Sequence, residues 1–82
     1  MKLPRDLKGE ELCLLLAKYG YHSTRQTGSH IRLTSTGRGA EHHITIPNHS
    51  PLKVGTLSNV LGDVAKYLEM EKKTLIENIF KS

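Results

Sequence analysis

The sequence predicts an α+β fold of order α-β-β-β-α, in which a three-stranded antiparallel sheet carries its helices on one face. Apolar residues recur at helical spacing near both ends of the chain, and short alternating runs lie between them. Short connections between three successive strands favour an antiparallel meander. A chain of 82 residues is expected to form one domain.

The first helix is predicted over residues 9–19. Gly20 follows it and suits the left-handed conformation that ends many helices. The apolar residues that form its expected buried stripe are Leu12, Leu15, Leu16 and Tyr19.

Three strands are predicted next, over residues 21–26, 30–34 and 42–46. The turn Thr27-Gly28-Ser29 joins the first two, and a glycine-containing loop joins the last two. Alternation directs four apolar side chains to the core, namely Ile31, Leu33, Ile44 and Ile46. The opposite face is expected to be open and polar, and it would present His30, Arg32, His43 and Thr45.

A second helix is predicted over residues 54–66, and a further helical pattern extends over residues 70–80. The residues expected to be buried by the second helix are Leu57, Val60, Leu61 and Val64. No glycine or proline lies between Lys66 and Thr74. The end of the chain could therefore form either one long bent helix or an additional C-terminal helix.

The composition favours a basic protein that binds a polyanion. Twelve Lys and Arg against eight Asp and Glu give a net charge of +4, and the pI is about 9.4. Scarce aromatic residues argue against a base-stacking platform. The chain shows no membrane-spanning run, no secretory signal and only one cysteine, so a cytoplasmic location is expected.

Gly28-Ser29-His30 is the predicted functional site. His30 begins a strand directly after a tight turn and shares the open face with Arg32. Histidine can take or give a proton near neutral pH, and arginine stabilises phosphate charge. Because RNA carries its own nucleophile, the 2′-hydroxyl, a small protein of this kind could cleave RNA without a metal or cofactor.

The remaining histidines and the cysteine do not favour metal or thiol chemistry. His42 and His43 would point to opposite faces of a strand, so they could not easily ligate one ion. Cys13 is expected to be a packing residue because it lies among leucines. His49 is expected in a turn or at a phosphate, and Lys53 at a phosphate near the start of the second helix.

Four short segments, in order along the chain, carry a family resemblance. They are Tyr19-Gly20-Tyr21, Arg25-Gln26-Thr27-Gly28-Ser29-His30-Ile31, Ile44-Thr45-Ile46-Pro47-Asn48-His49 and Leu52-Lys53-Val54-Gly55-Thr56-Leu57. This ordered set resembles the HicA (YcfA-like) mRNA interferase toxins of bacterial and archaeal toxin–antitoxin pairs, over roughly residues 10–64. The chain departs from the family pattern at Lys8, where a small polar cap is usual, and at Glu69, where a glycine is expected.

The resemblance implies a fold like that of a double-stranded-RNA-binding domain and metal-independent cleavage of mRNA, with His30 as the catalytic residue. It also implies a HicB-type antitoxin that covers the active face. The residues expected to form the RNA-binding surface are Arg25, Gly28, Ser29, Arg32 and Lys53, with the glycine and the serine shaping the turn.

Two alternatives remain open at this point. One is a non-catalytic module that binds duplex RNA by recognising its shape. The other is a small protein-interaction domain. A second acid/base residue is not identified, although His43 shares the predicted face. A homodimer is also open, since the exposed sheet face could pair with itself.

Overall fold

The predicted α-β-β-β-α order is confirmed, and a separate C-terminal helix follows it. The computed structural model describes residues 3–48 and 51–80. Its elements are α1 (Gly9–Ala17), β1 (His22–Thr27), β2 (His30–Ser35), β3 (His42–Pro47), α2 (Val54–Leu68) and α3 (Lys72–Ile79). The strands form one antiparallel sheet of order β1-β2-β3, as a meander requires. No helix in the described part is long and apolar enough to cross a membrane.

The core lies between one face of the sheet and the three helices. The four strand residues predicted to face inward, Ile31, Leu33, Ile44 and Ile46, are all at most 6% exposed. The predicted stripe of α2 is buried as well, and α3 contributes Leu75, Ile76 and Ile79. This burial of one face leaves the other face of the sheet open.

Helix α1 begins where the chain packs against the end of β3. A Cβ atom on Gly9 would lie 2.6 Å from the carbonyl oxygen of Pro47, so the approach requires a glycine. The backbone N–H of Lys8 donates to Glu11 Oε1 at 2.9 Å, which supplies one half of a capping box. The other half needs an acceptor, and a lysine side chain has none.

The end of α1 differs slightly from the prediction. The helix ends at Ala17, and the Tyr21 N–H donates to the Leu16 oxygen at 3.3 Å in the six-to-one bond of a Schellman motif. Gly20 takes the expected left-handed conformation, with φ of 91°. Leu12 and Leu16 are fully buried, whereas Leu15 and Tyr19 are only half-buried.

The end of the chain forms two helices, so the alternative of one long bent helix is wrong. The break lies at Glu69, which adopts the left-handed conformation with φ of 57° and ψ of 44°. The Met70 N–H donates to the Ala65 oxygen at 3.0 Å, again closing a Schellman motif. A glycine would meet this backbone requirement without the crowding of a Cβ atom.

Candidate functional site

His30 begins β2 directly after a two-residue hairpin turn. Thr27 pairs with His30, so only Gly28 and Ser29 lie in the turn, and Thr27 belongs to β1 rather than to the predicted turn. Gly28 has φ of 54°. A positive φ at the first central residue is typical of type II′ hairpin turns, which match the twist of the strands that they join.

The turn is anchored to the segment that leads into α2. The Asn48 N–H donates to the Ser29 oxygen at 2.6 Å, and His30 pairs with Pro47 across the sheet. The backbone beneath His30 is therefore held from both sides, while its side chain is exposed. A fixed backbone with an exposed side chain suits a residue that must contact a large substrate in one orientation.

The beginnings of α1 and α2 lie at the same end of the sheet as His30. Gly9 packs against Pro47, and the Leu52 N–H donates to the Leu7 oxygen at 2.7 Å. Lys53, exposed and extended, immediately precedes α2. Helix N-termini carry partial positive charge, so this end of the molecule favours anions. His49 lies outside the described residues.

The open face is arranged in rows of cross-strand neighbours. His30 lies in the first row, Arg25 and Arg32 pair in the second, and Thr34 pairs with His43 in the third. Successive rows on one face are about 7 Å apart because alternate residues of a strand share a face. The fold thus brings the two arginines within one row of His30 and leaves His43 two rows away.

In the described part of the chain, Arg25 and Arg32 form no ion pair with a carboxylate. Within residues 3–48 and 51–80 the ion pairs are those of Arg38 with Glu69 and of His43 with Glu41. Like charges placed directly opposite each other across two strands are destabilising. An anion bound over Arg25 and Arg32 would relieve this repulsion, so the second row is suited to a phosphate group.

A polar pocket of about 350 Å³ lies beside the arginine pair. Its lining residues are Thr24, Arg25, Arg32, Thr34, Glu41 and His43. The Thr34 hydroxyl lies 2.9 Å from Thr24 Oγ1 and 2.9 Å from His43 Nδ1. Glu41 Oε1 lies 3.3 Å from His43 Nε2, so each nitrogen of the imidazole has a polar neighbour.

Sequence reasoning missed most of this pocket. It placed His43 on the open face but did not connect it with Glu41, Thr24 or Thr34. A bulge in β1 between Ser23 and Arg25 adds one residue and turns Thr24 toward Thr34. Facing positions in β2 and β3 could have indicated the contact between Thr34 and His43, whereas nothing in the local pattern indicates the bulge.

His42 and His43 lie in different surroundings on opposite faces, as strand alternation predicts. His42 Nδ1 is 2.6 Å from the Tyr21 hydroxyl, and the imidazole stacks on the Tyr67 ring with 4.6 Å between ring centroids. These contacts place His42 in a structural aromatic cluster. Among the described residues, no three His, Cys, Asp or Glu side chains come together in a group that could hold a metal ion.

Cys13 is half-buried on α1, in agreement with a packing role. Burial, and then the nearby negative charge of Glu10, raise the pKa of its thiol. A thiol with a raised pKa is largely protonated at neutral pH and is therefore a poor nucleophile.

Together these features define a class: a small, basic α+β protein whose open sheet face presents an exposed histidine next to an arginine pair. The family model described as the HicA toxin of bacterial toxin–antitoxin systems matches residues 9–66, from the start of α1 nearly to the end of α2. The chain belongs to the HicA toxin family. It is thereby one of the toxins of toxin–antitoxin systems, and an antitoxin is implied as its partner. Comparisons with curated proteins and with solved structures gave no significant match.

Proposed function

We propose that the protein is an endoribonuclease toxin that cleaves mRNA without a metal, with His30 as its acid/base residue. The observation that carries this proposal is that His30 is exposed next to Arg25 and Arg32 in a chain that belongs to the HicA toxin family. Its side chain is exposed on a fixed backbone, one row from Arg25 and Arg32, which form no ion pair within residues 3–48 and 51–80. The net charge of +4 would draw RNA to the molecule.

The chemistry requires only the RNA and these side chains. His30 removes the proton from a ribose 2′-hydroxyl, whose oxygen attacks the adjacent phosphorus. A bond forms between O2′ and phosphorus while the bond from phosphorus to O5′ breaks. The leaving O5′ takes up the proton that His30 now carries. The products are a 2′,3′-cyclic phosphate and a 5′-hydroxyl, and the imidazole returns to its initial state.

The cations of the face would stabilise the charge that builds on the phosphate. Arg25 and Arg32 lie in the row next to His30 and can donate several hydrogen bonds to phosphate oxygens. Lys53 and the N-terminus of α2, at the same end of the sheet, would bind a neighbouring phosphate. Gly28 and Ser29 contribute by holding the turn, since Ser29 engages Asn48 through its backbone oxygen.

His43 is not suited to act as the second acid/base on the same phosphate. Two rows of the sheet, about 13 Å along the strand, separate it from His30. The sheet is hydrogen-bonded throughout this region, from the pair of His30 with Pro47 to the pair of Thr34 with His43. In this structure the His43 imidazole instead contacts Thr34 and Glu41, so this proposal assigns it no role in the cleavage step.

The direct test is to incubate purified protein with mRNA in EDTA, beside the variants His30→Ala and His22→Ala. His22 is a matched control because it is also an exposed histidine at the beginning of a strand. We expect cleavage by the wild type and by His22→Ala, and none by His30→Ala. The His30→Ala variant should still bind RNA with near-normal affinity, since the arginines remain. Bound but intact RNA with the wild type would favour the non-catalytic RNA-binding module instead.

The partner in this proposal is a HicB-type antitoxin that covers the open face. The family implies an antitoxin, and the open face is the surface whose occlusion would exclude RNA from both His30 and the arginine pair. Antitoxin added before RNA should therefore block binding as well as cleavage. Self-association through the same face would instead appear as a dimer in sedimentation and would weaken RNA binding as protein concentration rises.

A further inference from the structure

We infer that the pocket beside the arginine pair binds one nucleobase of the RNA, and that Glu41 selects a base with an exocyclic amino group over uracil. This inference rests on the proposed RNA-cleaving function, and it adds a determinant of sequence preference near the cut. Arg25 and Arg32 line the pocket as well, but Glu41, His43 and the two threonines of its lining have no part in the cleavage step.

The pocket has the chemistry of a base-binding site. All six side chains that line it are polar, and its volume of about 350 Å³ leaves room for one base. Thr34, only 5% exposed, forms the floor through its bonds to Thr24 and His43. The wall is the His43 imidazole, whose two nitrogens lie near Thr34 and Glu41 and whose ring could stack on a base.

In this proposal Glu41 determines which nucleobase the pocket prefers. It is the only carboxylate among the lining residues, and its side chain is 65% exposed. Its Oε1 contacts His43, which leaves Oε2 to accept a hydrogen bond from a ligand. A carboxylate accepts from the amino group of cytosine, whereas the carbonyl oxygen of uracil at the same position would be repelled.

Glu41 lies where its negative charge opposes the binding of RNA. A negative charge beside Arg25 and Arg32 lowers the affinity of the face for any RNA backbone. No arginine neutralises it, since its ion pair in the described part of the chain is with His43. A group that weakens general RNA binding but can discriminate between bases fits a site of specificity.

The spacing of the rows lets one RNA strand serve both sites. A phosphate at His30 in the first row and its neighbour at the arginine pair in the second row would direct the next base toward the third row. The base must be free of a duplex partner, because only an unstacked base can turn its Watson–Crick edge toward Glu41. The pocket therefore fits single-stranded RNA, or a loop.

The test measures binding of short 2′-O-methyl oligocytidine and oligouridine, which cannot be cut because the nucleophile is blocked. We expect the wild type to bind oligocytidine about threefold to tenfold more tightly than oligouridine. Glu41→Gln should reduce this ratio to about one, because an amide can present either a donor or an acceptor to the base. Glu77→Gln, which removes the same charge from an exposed site on α3, should tighten binding of both probes and keep the ratio.

Each outcome of this experiment decides the question. Equal affinity of the wild type for the two probes, an unchanged ratio in Glu41→Gln, or no binding of either probe at low salt would overturn the inference. Failure of the proposed function is seen separately, as intact mRNA with the wild-type protein. If the protein discriminates between the probes but cuts no mRNA, the base-binding pocket is supported and the endoribonuclease proposal is contradicted.

Discussion

At the scale of single residues, His30 and Gly28 have different roles at the turn. His30 supplies a titratable side chain that projects into solvent, and Gly28 supplies the backbone conformation that sets its direction. Gly28 has φ of 54°, and a Cβ atom added to it would meet nothing within 4 Å. The glycine is therefore required for its backbone and not for space, and any effect of a substitution there should be one of conformational energy.

Replacing Gly28 with alanine should lower the free energy of unfolding by about 1 kcal/mol, since an L-residue is strained in the left-handed region. Gly28→Asn should lose less, because asparagine tolerates that region better. Urea denaturation of the three proteins measures the difference. An alanine variant as stable as the wild type would show that the turn does not hold a left-handed residue in solution.

Gly28-Ser29-His30 could be identified as a site from the sequence because every part of its signal is local. The turn residues, the strand that follows and the alternation that exposes His30 lie within a few positions of one another. The pocket of Glu41 and His43 could not be identified in this way. It depends on the bulge at Thr24 and on pairing between strands that are distant in the sequence.

At the scale of elements, helix α2 ends at a left-handed residue that is not a glycine. Glu69 takes the left-handed conformation, and its carboxylate forms an ion pair with Arg38 across to the loop after β2. Both side chains are largely exposed, so the ion pair contributes little to stability. Leu75 and Ile79 of α3, which follows the break, are buried in the core.

A comparison of Glu69→Gly with Glu69→Ala isolates the backbone strain, because both variants lose the same ion pair. The glycine variant should be the more stable of the two by about 1 kcal/mol. Thermal or chemical denaturation of the two variants measures this difference. Equal stability would mean that the helices do not break at a left-handed residue.

The same element explains a limit of sequence reasoning. Periodicity identified the buried stripes of α2 and α3, because Leu57, Leu61, Leu75 and Ile79 recur at helical spacing. It could not place the break, since the usual glycine or proline signal is missing between residues 66 and 74. The alternation of the first strand is weak in the sequence for a related reason: all six residues of β1 are exposed, so burial imposes no alternation on them.

At the scale of the whole molecule, a partly buried aromatic cluster joins the segment after α1 to β3 and α2. Tyr21 is 2% exposed, contacts His42 through its hydroxyl and meets the Tyr67 ring edge-on. Burial, and then the charges of Tyr67 and Asp63, raise the pKa of Tyr21 to about 12. The folded protein therefore keeps this hydroxyl protonated at a pH where the unfolded chain releases the proton.

This difference predicts a loss of stability in alkali. As the pH rises from about 10, the pKa of an unperturbed tyrosine, to about 12, the unfolded state ionises first and is favoured by about 2–3 kcal/mol. Tyr21→Phe should abolish this part of the loss. At about pH 8 it should instead be less stable than the wild type by about 1 kcal/mol, because the hydrogen bond to His42 is gone.

Urea denaturation at several pH values would show the wild-type stability falling to that of Tyr21→Phe as the pH rises, and then below it as the pH approaches about 12. Groups that titrate in alkali and do not interact with Tyr21 affect both proteins alike, so their contributions cancel in the difference. Parallel curves for wild type and Tyr21→Phe would contradict the raised pKa.

The chemical ends of the RNA fragments test the central claim most directly. Attack by the 2′-hydroxyl with His30 as acid/base gives a 2′,3′-cyclic phosphate on one fragment and a 5′-hydroxyl on the other. We expect these ends from the wild-type protein in EDTA, no fragments from His30→Ala, and no cut at a site where the attacking ribose is replaced by 2′-deoxyribose. Fragments that carry a 5′-phosphate, or cleavage that persists in His30→Ala, would contradict the account.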